Sequence, residues 1–154
     1  VDIFGDGSDA RVAKSIVEAE SFSMTRSTDE RLRAIGAKAV ALADDLAGPL
    51  LLYAEADENV ISADILYLNS RGDVRLKFCT PALRHEVYNF WQDFQELPGS
   101  FVWHTMQLVV SEGKLTVEYL RPDEVDLDLD VSDRRPDVIR KHFGSAPVDS
   151  SRPD

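Results

Sequence analysis

The chain has 154 residues, 44% of them hydrophobic, and carries 28 acids against 17 bases, a net charge of −11. That length supports one domain with a real core and is too short for two comfortable ones. The negative excess argues against direct binding to nucleic acid or to an anionic membrane.

A single cysteine, Cys79, rules out an internal disulfide framework and a thiolate zinc site. No apolar run approaches the ~20 residues that a membrane-spanning helix needs. The N-terminus, VDIFGDGSDARVAK, has no basic stretch followed by an apolar one, so no secretory signal is read there. Either the protein stays in the cytoplasm or a signal was removed before this numbering begins, and a cytoplasmic protein is the expectation.

In chain order, residues 9–20 read as a short helix opened by Ser8 or Asp9, with Val12, Ile16 and Ala19 at helical spacing. The polar link SFSMTRS follows. A second helix is expected with Thr28 as N-cap and Leu32, Ile35, Ala39, Leu42 and Leu46 on one stripe, stopped by Gly48-Pro49. Two strands joined at Asp57 to Asn59, then a tight turn at SRGD into a third, predict an antiparallel meander, because the links are too short for parallel crossovers. Gly72 supplies the positive φ such a turn commonly needs.

The clearest helix is TPALRHEVYNFWQDFQELPG. Thr80 caps it and Pro81 takes the first helical position, where a missing N–H costs nothing. Leu83, Val87, Phe90, Trp91, Phe94 and Leu97 follow the helical period up to Pro98-Gly99. A hairpin comes next, with Met106, Leu108 and Val110 sharing one face and Leu115, Val117 and Tyr119 sharing one face of the partner strand. A last helix is expected from about Asp133 to Phe143, closed by Gly144. The whole predicts a single α+β domain over 1–147: an antiparallel sheet of about five strands, meander plus hairpin, packed by a central amphipathic helix. N-terminal helices and a C-terminal helix flank it. Residues 1–25 could stand apart as an N-terminal extension, and 148–154 read as a disordered tail.

One stretch stands out chemically. DEVDLDLDVSDRR places six acids and no base between Asp123 and Asp133, more than half of the net negative charge in eleven residues. Asp126, Asp128 and Asp130 could open a calcium loop, but Val131 stands where that loop needs glycine, and its twelfth position falls on Asp137 beyond a proline. With an alternation of two, the acids would line one face of an extended segment and Leu127, Leu129 and Val131 the other. Such a segment is either a solvated edge that deters wrong strand pairing or a surface for a basic partner. His85, His104 and His142 have no metal-ligand spacing, and His142 near a helix C-terminus suits the helix dipole without any catalytic role. Cys79 precedes a helix N-terminus, where a thiol can be activated, although a small buried hydrophobe is the simpler reading. No nucleophile elbow, phosphate loop or dinucleotide fingerprint is present.

LLLYAEADENVISADILYL, the aromatic helix, VWHTMQLVVSEGKLTVEYL and SDRRPDVIRKHFG occur in that order. With Tyr53-Ala54-Glu55 in the first strand, Trp103 opening a strand, Gly113-Lys114 in the hairpin and Tyr119 ending it, and Arg134-Arg135 entering a helix that ends in glycine, the chain resembles the YezG-like immunity proteins. These are antitoxins that protect bacteria from their own polymorphic secreted toxins. The resemblance spans about Leu50 to Gly144; the helix before Ser21 and the dense acid run depart from it. It implies an α+β domain that blocks a cognate toxin by binding it, without catalysis; such toxins are often nucleases with basic clefts, and the acidic chain suits a basic partner. No metal or cofactor is expected. Contact with that partner is expected at Asp123, Glu124, Asp126, Asp128, Asp130 and Asp133. Two alternatives stay open: a metal-dependent or thiol enzyme using the Asp126–Asp130 cluster or Cys79, and a non-catalytic interaction or regulatory domain with another partner.

Overall fold

The computed structural model describes residues 26–56 and 61–149. The helix expected over 9–20 and the turn expected at Asp57 to Asn59 lie outside them. Helix α1 (Arg26–Leu42) leads into β1 (Leu46–Ala56), β2 (Ile61–Asn69) and β3 (Val74–Phe78). Helix α2 (Pro81–Phe94) follows, then the hairpin of β4 (Thr105–Ser111) and β5 (Lys114–Leu120), and finally α3 (Val131–Phe143). The strands form one antiparallel sheet in the order β3-β2-β1-β4-β5. The meander extends from one side of β1 and the hairpin from the other, giving the α+β class that the sequence predicts.

The first helix ends earlier than its stripe suggests. It stops at Leu42, and Asp45 turns the chain with a left-handed φ of 59°. The Asp45 carboxylate accepts from Ser70 N (3.2 Å) and Ser70 Oγ (2.6 Å), which ties that turn to the end of β2. Leu46 therefore starts β1 opposite Asn69, and Gly48-Pro49 form an irregularity within the strand between Leu46 and Leu50. Proline has no N–H for the ladder and suits such a position. A Cβ on Gly48 would stand 2.8 Å from Leu68 Cδ2, so a larger residue there would require the Leu68 side chain to shift.

Strand alternation divides β1 between two faces. Leu50, Leu52 and Ala54 face α1 and α2, beside Ile65, Tyr67, Met106, Leu108, Leu115 and Val117. The register puts Met106 opposite Tyr119, Leu108 opposite Val117 and Val110 opposite Leu115, as the alternation predicts. Onto this face α2 lays Leu83, Val87, Phe90, Trp91 and Phe94, and α1 lays Leu32, Ile35 and Ala39. Each fully buried Phe adds roughly 1.5–3 kcal/mol of apolar transfer. Thr80 Oγ1 accepts from Leu83 N (3.1 Å) at the start of α2, and Pro81 is its first residue. Helix α2 stops at Phe94; Leu97 lies beyond its end yet still packs against the core. Arg31 to Asp93 (2.7 Å) and Lys38 to Glu86 bridge the two helices.

The opposite face is covered by α3. Val138, Ile139, Phe143 and Ala146 pack on Leu51, Tyr53, Leu66 and Val74. Gly144 closes the helix, and the chain then returns along β3: Val74 N donates to Pro147 O (2.7 Å) and Asp149 N to Val74 O (2.8 Å). Arg71 and Arg75 reach the Asp149 carboxylate at 3.4 and 3.3 Å. Val148 and Asp149, which open the segment read as a disordered tail, are thus bonded to the sheet; 150–154 lie outside the described residues. No helix among the described residues is long and apolar enough to cross a membrane.

Candidate recognition site

The acid run is not the extended segment that its alternation suggests. A short 3-10 turn, Pro122–Glu124, leads into a second turn and then into α3. Local chemistry explains the difference, because Asp and Glu side chains compete for backbone N–H groups. Glu124 Oε1 accepts from Arg121 N (2.8 Å). Asp126 Oδ1 accepts from Asp128 N (3.1 Å), and Leu129 N donates to Asp126 O (3.2 Å), which closes a β-turn over 126–129. Asp130 is the N-cap of α3, accepting from Ser132 N, Ser132 Oγ and Asp133 N, while Asp133 accepts back from Asp130 N (3.3 Å). These bonds, led by the Ser132 hydroxyl, hold the Asp130 carboxyl below its ordinary range. The helix therefore starts at Val131, two residues before the expected Asp133. With no strand there, Leu127 and Leu129 have no sheet face to cover, and they stand 57% and 42% exposed. Asp123, Glu124, Asp126, Asp128, Asp130 and Asp133 are all exposed beside them.

Beneath the start of α3 lies a second, buried set of charges. Glu55 and Asp64 are buried on β1 and β2, each between apolar neighbours in sequence. Consecutive helix residues diverge by about 100°, which lets Arg134 and Arg135 reach different strands. Arg134 grips Glu55 in a fork, Nε to Oε2 at 2.8 Å and Nη2 to Oε1, and Arg135 Nη2 meets Asp64 Oδ2 at 2.6 Å. The Tyr53 hydroxyl donates to Glu55 Oε2, and His104 Nε2 lies 3.3 Å from Oε1. Burial alone would raise the Glu55 carboxyl, but hydrogen bonds from Arg134, His104 and Tyr53 together bring it down to about 2. Burial and the neighbouring Glu55 push the Tyr53 phenol well above its ordinary value. Further along the helix Lys141 pairs with Glu118, and His142 Nε2 lies 2.6 Å from Gln107 Oε1.

Arg134 also reaches the other way. Its Nη1 donates to the carbonyls of Asp126 (2.6 Å) and Leu129, the two ends of the exposed turn. Every nitrogen of this guanidinium is engaged. Arg135 differs: its Nε is buried with no hydrogen-bond partner among the described residues.

Of the sequence-derived candidates, Asp123, Glu124, Asp126, Asp128 and Asp130 lie exposed in the turns before α3, and Asp133 lies exposed in its first turn. Glu55, Asp64 and Gln107 went unpredicted as site residues. The available signal was a polar side chain inside strands whose neighbours are all apolar, and Tyr53, Glu55, Arg134 and Arg135 had entered only as marks of a family resemblance. Cys79 is buried, and that burial pushes its thiol up to about 12. Among the described residues no three His, Cys, Asp or Glu side chains come together to hold a metal ion. Compared with models of known families and with curated proteins, the chain gives no match.

Proposed function

We propose that this chain is an immunity protein that works in the cytoplasm by binding and neutralising a basic toxin, such as a nuclease. The observation that carries the reading is the turn Asp126 to Leu129. It presents two exposed leucines among exposed Asp123, Glu124, Asp126 and Asp128, while the acids under α3 are matched by Arg134, Arg135 and Lys141. Apolar contacts within a polar rim are the common anatomy of a protein interface. A concentrated negative field also speeds encounter with a basic surface.

A toxin gene beside this one, and co-expression of the chain with its product, test this. The wild-type chain should protect cells and bind the toxin tightly, more weakly as salt rises. Asp123→Lys combined with Asp128→Lys should slow association at low salt by at least about tenfold and abolish protection, with no loss of thermal stability, since both side chains are exposed. A chain that neither binds nor protects sinks the reading.

A further inference from the structure

The donors of Arg134 serve two different parts of the molecule. Nε and Nη2 hold the buried Glu55 of β1, and Nη1 holds both carbonyl ends of the exposed turn. One planar charged group thus joins the sheet to the loop. The turn's own bonds are Leu129 N to Asp126 O at 3.2 Å and Asp128 N to Asp126 Oδ1 at 3.1 Å, both near solvent. Such bonds alone leave much of the ordering entropy of four residues unmatched. With both carbonyls drawn toward Arg134, the central residues Leu127 and Asp128 stay exposed.

We propose that Arg134 is the positioning residue of the recognition turn. It sets the turn's shape from the core, and Glu55 acts through it. This rests on the reading of the turn as the partner-binding surface. A preformed loop loses less freedom on binding than a loose one, so affinity depends on a side chain that the partner need not touch. Lysine cannot replace arginine here, because a point charge pairs with Glu55 but cannot also span two carbonyls.

The test uses the full chain. Arg134→Lys keeps the net charge, so long-range attraction is unchanged and any loss reports on shape. In hydrogen exchange without partner, the amides of Asp128 and Leu129 should exchange about tenfold faster, while those of Leu52 and Ile65 keep wild-type rates. Glu55→Met with Arg134→Met removes both charges from beneath α3; a hydrophobic replacement of a buried pair can preserve stability, yet the turn should exchange fast here too. Against the toxin, Arg134→Lys should weaken binding about tenfold, mainly through faster dissociation. Unchanged exchange in the turn overturns the proposal, and so does equal acceleration in the sheet, which would make Arg134 a general prop of the fold. If the wild-type chain binds no toxin, the functional reading fails, and the exchange measurement still decides the role of Arg134.

Discussion

A carboxylate in the middle of a sheet would, on burial alone, keep its proton. Glu55 does the opposite, because a forked guanidinium, a phenol and an imidazole all bond to its charged form. Its folded value of about 2 lies below the ordinary 4.5. A depressed carboxylate contributes stability above the unfolded value, and that contribution is lost as pH falls through the folded one. The thermal midpoint should therefore fall between about pH 4.5 and 2, and circular dichroism melts of Glu55→Gln should show a shallower fall there. At neutral pH the same substitution leaves Arg134 without its counter-charge and should cost about 3 kcal/mol. A melt of Glu55→Gln parallel to wild type across that range would contradict this. Little of the cluster was legible in the sequence: a glutamate between alanines on a strand shows neither its burial nor a partner 79 positions away.

At the scale of elements, a reading is firmest where a period and a cap agree. Helix α2 is the example: its apolar spacing, Thr80 and Pro81 all pointed one way, and it stands as predicted from Pro81. The acid run failed because alternation over six residues is weak evidence once each aspartate can bond a nearby amide. The signature of a helix start was present in Asp130-Val131-Ser132-Asp133, a capping box with aspartate at both ends. Gly48-Pro49 reads as a helix stop, yet the pair lies within β1 at its irregularity, with Gly48 close against Leu68. Gly48→Ala should therefore cost about 1–3 kcal/mol, as overpacking does, measured by urea denaturation. A midpoint equal to wild type would mean that Leu68 yields freely.

On the scale of the molecule, one sheet separates two unlike interiors. The α1/α2 side is apolar and aromatic, and its content followed directly from strand alternation and helical period. The α3 side has a smaller apolar patch beside paired charges. Its helix offers few apolar residues, so the sequence marked it as a helix but not as the cover of a sheet face. The outer surface carries the uncompensated charge, six acids of it within eleven residues. Self-repulsion of this kind is screened by salt, whereas the buried pairs are screened much less. The melting temperature should accordingly rise by roughly 2–4 °C from 10 to 150 mM salt, corresponding to about 1 kcal/mol; calorimetry would detect a fall instead if the ion pairs dominated.

The return of the chain along β3 bears on behaviour in concentrated solution. An outer strand with vacant amides and carbonyls invites a neighbouring molecule to zip onto it. At Val74 those groups are already engaged by Pro147 and Asp149, and two arginines fasten the latch through Asp149. The protein thus supplies its own stopper at that end of β3, and a change that loosens it would leave Val74 open to pairing with another copy.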